Sequence, residues 1–305
     1  MRIASIDIGT NTFRILIGEV EGRRGLKRLY VGNIITRLGG GFSKETISEE
    51  AISRAIPTLK GFSRLLEEYR VKRVRAVATS VVREASNKFD FLKRVENETG
   101  IGVEVISWEE EARLTALGVL NSVEVPTKYS LILDIGGGST EYTLVEGSKI
   151  LRLKSTSLGV VHLTERYLRD NPPSELDIKL LSLEVEKVIS DELTWTSFDD
   201  PITLIATAGT PTTLAAMELE LKQYDPDLVN GFILKKHAVL NILKKLLKLP
   251  AEERLKIPGL QKGREDIILS GIVILFKTME KFSKDKVLVS DGGLLEGVAS
   301  GLIEG

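Results

Sequence analysis

The apolar positions of this chain fall into two successive sets of short strand-like runs and longer helix-like stretches. Residues 2–8 (RIASIDI), with Ile3, Ala4, Ile6 and Ile8 apolar, read as a short buried strand, and Phe13–Val20 and Leu26–Val31 as further strands of a meander. Over Ser48–Tyr69 the residues Ile52, Ile56, Leu59, Phe62, Leu65 and Leu66 recur at helical spacing and make one apolar face. Val74–Ala78 then predicts a buried strand, Asp90–Thr99 a helix and Val103–Ile106 another strand. Ser107-Trp-Glu-Glu110 has the form of a capping box opening a helix that runs to about Asn121.

The pattern then restarts. Leu131–Asp134 predicts a strand leading into Ile135-Gly-Gly-Gly138, with Tyr142–Val145 and Ile150–Ser155 as the next strands. An offset of 127 residues superposes Asp7-Ile8-Gly9 on Asp134-Ile135-Gly136, Ile6 on Leu133, Ile15 on Tyr142 and Ile17 on Leu144. A repeat of that length predicts duplicated domains, because solenoids repeat every 20–50 residues or so. Further on, the pattern predicts helices around Val161–Leu168 and over Leu176–Leu193, with a turn at Asn171-Pro-Pro173 between them. A buried strand, Ile202–Ala206, enters a loop over Thr207–Thr213 that a helix follows. Helices over Lys235–Leu247 and Arg264–Phe282, a strand Val287–Ser290 and a terminal helix after Asp291-Gly-Gly293 complete the chain. Two α/β halves without a loose tether predict lobes around a cleft, one over about residues 1–120 and the other over about 121–305. The terminal helix is free in this scheme to pack back on the first lobe.

Composition narrows the chemistry. The length of 305 residues suits two domains. Lys and Arg number 42 against 43 Asp and Glu, so a net charge of −1 offers no global basic field to nucleic acid or an anionic membrane. Cysteine is absent, which excludes disulfide scaffolds, thiolate zinc sites, iron–sulfur clusters and thiol catalysis. The two histidines, His162 and His237, cannot build a three-histidine metal site. The start MRIASIDIG lacks the features of a signal peptide, and no apolar run reaches the ~18 residues of a membrane span. A soluble cytoplasmic protein is the expectation.

Asp7-Ile-Gly-Thr-Asn11 and Asp134-Ile-Gly-Gly-Gly-Ser139 each place an acid at a strand end, ahead of residues that let backbone N–H groups point into a turn. Successive N–H groups make an anion nest, and a carboxylate beside it can hold a divalent cation or its water shell. One such turn is more often a plain tight hairpin. Two with matched Asp in a duplicated chain point to a phosphate chain held with Mg²⁺.

The segments DIGTNTFR, ATSVVREA, EEEARL, DIGGGSTEY, SLGVVHLTERYL, AGTPTTLAAM and SDGGLLEGV, in this order along nearly the whole chain, resemble the exopolyphosphatase/guanosine pentaphosphate phosphatase family. The resemblance implies an α/β chain with a duplicated actin/hexokinase/Hsp70-like (ribonuclease H-like) fold. Longer members carry an additional C-terminal helical region, so this chain is similar to the short two-domain form. The implied catalytic carboxylate is Glu111, immediately before Ala-Arg, orienting or activating the attacking water. The run Glu109-Glu-Glu111 would also suit a helix start with no other task, and that reading is kept for Glu109 and Glu110.

Asp134 is then the metal- or water-positioning carboxylate, with Gly136, Gly137, Gly138 and Ser139 cradling the terminal phosphate and Glu141 a second acid near the metal. Asp7, Gly9, Thr10 and Asn11 are implied to face the same phosphate, with Asp7 either a metal group or a turn former. Arg83 matches a family arginine near the phosphate chain, and an ion pair with Glu84 or another neighbour is its alternative. Arg264 falls in a region that supplies basic residues to the bound chain. Gly209-Thr210 and Gly292-Gly293 correspond to loops that bind adenosine in kinase relatives and here either keep that role or only close the lobe. The lysine run Lys244, Lys245, Lys248 and the basic run Arg70–Arg75 read as solvated faces.

The implied activity is that of an exopolyphosphatase or guanosine-5'-triphosphate,3'-diphosphate phosphatase. Mg²⁺ is the expected cofactor, with other divalent cations left open. The ligands would be polyphosphate or guanosine pentaphosphate or tetraphosphate, without nucleic acid or membrane partners and with a homodimer as an option. A small-molecule kinase of the same fold would need a sugar- or acyl-binding segment, and none is recognisable. A non-catalytic nucleotide sensor or filament subunit is disfavoured by the joint presence of Glu111, Asp134 and Glu141.

Overall fold

The structure, a computed structural model, describes residues 1–22, 25–41, 45–195 and 201–304. The chain divides into two compact units, one of Met1–Gly118 with Leu294–Gly305 and the other of Val119–Gly293.

The first unit opens with β1 (Arg2–Ile8), β2 (Thr12–Glu21) and β3 (Gly25–Ile35), an antiparallel meander. Helix α1 (Glu49–Glu68), strand β4 (Arg73–Ala78), helices α2 (Ser80–Glu84) and α3 (Lys88–Thr99), strand β5 (Val103–Val105) and helix α4 (Trp108–Leu120) follow. Among the described residues the sheet order is β3-β2-β1-β4-β5, with β4 and β5 parallel to β1. The period of two along β1 sends Ala4, Ile6 and Ile8 into a core shared with α1 and α3. The other face is also covered: Leu16 packs with Leu295 and Ala299, and Val77, Ile106 and Leu114 pack with Leu294 and Val298. Those partners lie on α12 (Leu294–Glu304), the terminal helix. With both faces covered, the polar Ser5 and Asp7 of β1 are buried along with its apolar residues. Ser48 caps α1, accepting from the Ala51 N–H at 3.2 Å.

The seat of α12 depends on Gly297. A Cβ there would lie 1.9 Å from the Leu114 carbonyl oxygen, whereas a Cβ on Gly301 would meet only Arg75 Nη1 at 3.7 Å. Gly297→Ala is therefore expected to lower stability by about 3 kcal/mol, the upper end of overpacking costs. Gly301→Ala should be neutral or mildly stabilising through helix propensity. Thermal melts of the two variants check this, and equal melting temperatures would contradict the close approach.

In the second unit β6 (Tyr129–Ile135), β7 (Thr140–Glu146) and β8 (Lys149–Thr156) form another antiparallel meander. They precede α5 (Val160–Tyr167), α6 (Glu175–Glu192), β9 (Ile202–Thr207), α7 (Gly209–Glu218) and α8 (Pro226–Val229). Strand β10 (Ile233–Lys235), helices α9 (Lys236–Leu247), α10 (Ala251–Arg254) and α11 (Ile268–Lys281), and β11 (Lys286–Val289) complete it. The sheet order β10-β11-β9-β6-β7-β8 repeats the first unit's order and adds β10 at one edge. Leu131, Leu133, Ile135, Tyr142, Leu204 and Ala206 face a core built with α5, α6, α7, α9 and α11.

The offset of 127 residues holds at the level of hydrogen bonds. The Gly9 N–H donates to the Thr12 carbonyl at 3.2 Å, and the Gly136 N–H to the Ser139 carbonyl at 3.0 Å. A register irregularity falls between Ile17 and Gly18 in one unit and between Leu144 and Val145 in the other, again at the same offset.

Two expectations are corrected. Helix α7 begins at Gly209, inside what reads in sequence as a loop over Thr207–Thr213. Helix α11 begins at Ile268, so Arg264 lies ahead of it instead of at its first turn. The five-residue α2, starting directly at the end of β4, was not expected. No helix among the described residues is long and apolar enough to cross a membrane.

Candidate active-site residues

In the first unit the turn after β1 is closed by the Gly9–Thr12 bond, and a Cβ on Gly9 would lie 2.9 Å from the same Thr12 oxygen. Only glycine fits such an approach. Thr10 and Asn11 are buried, and their carbonyls are taken up by a loop the sequence reading did not single out, Thr36-Arg-Leu-Gly-Gly-Gly41. The N–H groups of Thr36 and Arg37 donate to the Asn11 carbonyl at 3.0 and 2.9 Å, and that of Gly39 to the Thr10 carbonyl at 2.8 Å. Arg54 of α1 fixes the loop from behind, donating to the carbonyls of Thr36 and Arg37, each at 3.1 Å. Three consecutive glycines were the available signal, but nothing in the sequence ties them to a turn almost thirty residues upstream.

The Thr10 hydroxyl lies 3.2 Å from that of Ser80, the first residue of α2. The same short helix presents Arg83, whose Nη1 donates to Glu111 Oε2 at 3.0 Å and to the Ile106 carbonyl at 3.1 Å. Arg83 thus pairs with the candidate acid itself, and not with Glu84. The three glutamates at the start of α4 have different surroundings. Glu109 is exposed, Glu110 half-buried, and Glu111 buried with 8% of its surface accessible.

The capping box is only half formed. Ser107 Oγ accepts from the Glu110 N–H at 3.2 Å, but the Glu110 carboxylate turns to Arg113 Nε and Nη2 at 2.7 and 2.9 Å and to Arg75 Nη2 at 3.4 Å. The bond from Arg113, more than any other contact, holds the Glu110 carboxyl below its usual pKa. A group lowered on folding stabilises above its unfolded pKa, about 4.5, and loses that contribution as pH falls through its folded value. Glu110→Gln is expected to cost about 1 kcal/mol at neutral pH and to flatten the stability loss below about pH 4.5. Urea titrations from pH 3 to 7 or so measure this, and parallel acid limbs would refute it.

In the second unit the turn after β6 has the same form: a Cβ on Gly136 would lie 2.9 Å from the Ser139 oxygen. The carbonyls of Gly136 and Gly137 accept from the N–H groups of Val160 and Val161, at 3.1 and 2.9 Å, so α5 starts against the turn. Gly159 permits this, since a Cβ there would lie 2.2 Å from the Gly138 carbonyl carbon.

Strand register decides what lies beside each aspartate. Asp134 is directly opposite Glu141 across β6 and β7, Glu141 opposite Ser155 on β8, and Asp134 beside Thr207 on β9. All four therefore share the face away from the main core. Ser155 Oγ donates to Glu141 Oε1 at 2.7 Å. In the first unit the equivalent neighbour of Asp7 is Arg14, opposite Asn33. The duplication keeps the aspartate and changes its partner from a cation to a carboxylate. Like charges directly opposite repel unless a cation lies between them, whereas Asp7 stands opposite a cationic residue. No group of three or more His, Cys, Asp or Glu able to hold a metal occurs among the described residues. Two carboxylates suit Mg²⁺, which keeps several waters and takes phosphate oxygens, better than an ion needing a full protein cage.

Arg264 sits against the start of α7. A Cβ on Gly209 would lie 1.7 Å from Arg264 Nη1 and 2.2 Å from Cζ, so the guanidinium occupies the space the missing side chain leaves. Ala208, just before, has φ 72° and ψ −167°, a conformation that L-residues rarely adopt and that the flanking strand and helix impose. On the neighbouring loop Tyr224 donates to Asp291, whose N–H donates to Asn230 Oδ1 at 3.0 Å. Gly292 offers its carbonyl to Thr207 and Ser290, each at 2.8 Å.

The model of the Ppx/GppA phosphatase family matches residues 22–304. Exopolyphosphatase 2 of Mycobacterium tuberculosis is 30% identical over 317 residues, which cover 99% of this chain and 98% of that protein. A bifunctional 3-dehydroquinate synthase/phosphatase of Fusobacterium nucleatum is 33% identical over 97% of this chain, which spans only 46% of that longer protein. Among solved structures, the Aquifex aeolicus member of the Ppx/GppA family shares 36% identity at a TM-score of 0.83, covering 99% of this chain and 97% of its own. An exopolyphosphatase from Cytophaga hutchinsonii shares 32% at a TM-score of 0.90, covering 100% and 98%. With sequence and backbone agreeing from end to end, this chain, a duplicated actin-like α/β fold, belongs to the Ppx/GppA phosphatase family.

Proposed function

We propose that the chain hydrolyses phosphoanhydride bonds, releasing the terminal phosphate of inorganic polyphosphate or of guanosine pentaphosphate. The observation that carries this reading is the buried Glu111 paired with Arg83, in a family of phosphatases. A carboxylate so placed can orient water and take one of its protons as the water oxygen attacks the terminal phosphorus. The bond from that phosphorus to the bridging oxygen breaks, orthophosphate leaves, and the chain is one phosphate shorter. Arg83 serves here as the group that orients Glu111. Among the described residues its fork engages protein through Nη1, which leaves Nε and Nη2 to meet phosphate oxygens in this reading.

The N–H groups of Gly136–Ser139 and of Gly9–Asn11 are the proposed phosphate contacts, and Arg264 adds a guanidinium. Asp134 and Glu141 would hold Mg²⁺, which when bound offsets phosphate charge. Asp7, beside Arg14, is assigned to shaping its turn instead of to metal. The decisive experiment gives the purified protein polyphosphate, guanosine pentaphosphate and ATP in parallel, with and without Mg²⁺, and measures phosphate release. Mg²⁺-dependent release from either of the first two supports the reading. Release from none, or from ATP alone, defeats it.

A further inference from the structure

We propose that Arg254, which the hydrolytic reading does not use, is the positioning residue that sets Arg264 against the start of α7. Arg254 ends the short helix α10 and is 2% exposed. Its Nε donates to the Leu246 carbonyl at 3.1 Å and its Nη1 to the Glu265 carbonyl at 2.8 Å. Its Nη2 is buried with no hydrogen-bond partner among the described residues. Burial pushes its pKa down, with Asp266 and Glu252 acting in the opposite sense. A guanidinium satisfied through only part of its fork is an expensive core residue, and an apolar side chain of similar volume would fill the space at lower cost.

What the fork achieves is positional. Leu246 lies in the last turn of α9, whose carbonyls carry the negative end of the helix dipole, so one prong is anchored on a rigid element. The other prong holds the residue directly after Arg264. Other bonds shape the loop that carries Arg264. Its N–H donates to the Gln261 carbonyl at 3.1 Å, its Nε to Gln261 Oε1 at 3.0 Å, and its carbonyl accepts from the Ile268 N–H at 2.9 Å. Gly263 at φ 89° lets the chain reverse just before it. These bonds shape the loop and join its end to Ile268, the first residue of α11. Arg254 ties the same loop to α9 through Leu246, and in this proposal that second tie sets Arg264 against Gly209.

The inference rests on the reading that Arg264 binds a phosphate of the substrate. A double-mutant cycle on the full chain tests both, with Arg254→Met, Arg264→Ala and the double variant. It uses medium-chain polyphosphate turnover, calorimetric binding of inorganic tripolyphosphate in EDTA, and circular dichroism to confirm folding. Arg264→Ala is expected to raise KM about tenfold. Arg254→Met should raise KM five- to tenfold or so, with kcat within about twofold and tripolyphosphate binding weakened in parallel. The double variant should be no worse than Arg264→Ala alone. Multiplying effects, an unchanged KM in folded Arg254→Met, or a loss confined to kcat would each overturn the proposal. A flat Arg264→Ala instead removes the phosphate reading of Arg264, and the proposal falls with it. If Arg254→Met does not fold, Arg254→Lys, which keeps the charge without the planar fork, takes its place with the same criteria.

Discussion

Glu111→Gln is expected to lower phosphate release by roughly 10²–10⁴ while leaving the fold and the affinity for the phosphate chain nearly intact. The side-chain amide keeps the size of the carboxylate and can turn its oxygen to Arg83, so the hydrogen bond at the start of α4 survives. What disappears is the basic oxygen proposed to take the proton from water. Glu109→Gln is the control. It removes a charge from the same helical turn, but its side chain is exposed and concerns only the helix dipole, at about a few tenths of a kcal/mol. Steady-state kinetics of the two variants, with tripolyphosphate binding as the second readout, separate the roles. Equal losses in both, or none in either, would reduce the acidic run to a helix start and leave Glu141 as the next candidate for water.

Asp134→Asn is expected to act on the metal as well as the rate. Turnover should fall by a factor of about 10² or more, and the Mg²⁺ concentration for half-maximal activity should rise about tenfold. The cross-strand register adds a second sign to this prediction. Asp134 faces Glu141 directly, and two carboxylates so placed repel until a cation joins them. In EDTA the variant should melt no lower than the parent, while the parent alone should gain stability when Mg²⁺ is added. A variant with full Mg²⁺ stabilisation would refute the assignment of the metal to this pair.

Much of the second unit's acid pair was legible because strand register carries it. The offset of 127 residues aligned Asp7 with Asp134 and Ile15 with Tyr142, and the antiparallel hairpins then fix which residues stand opposite. The same alignment places Arg14 where the second unit has Glu141. Sequence alone therefore contained the difference between the cross-strand neighbours of the two aspartates. The start of α1 was equally readable, since Ser48 is a local N-cap that needs no distant partner.

The starts of α7 and α11 were not readable, and the reason is the same in both. Ala208 holds a backbone conformation that its own side chain disfavours, so no local preference announces the helix that begins at Gly209. Arg264 is suited to a helix by propensity, yet it is kept ahead of α11 by a reversal at Gly263 and by the grip of Arg254 on the next carbonyl. Tertiary bonds outweighed local preference at each point.

The sequence by itself determined the two sheets, the duplicated glycine turns and the order of the acids, because hydrophobic period, glycine and local caps act over a few residues. Only the tertiary structure decided that Glu111 is the buried glutamate of its run and that Arg83 is its partner. The same holds for the seat of Thr36–Gly41 under Thr10 and Asn11, and for the contact of Arg264 with Gly209. Those pairings join residues far apart in the chain, and a buried charge or carbonyl takes whichever partner the packed elements bring within reach.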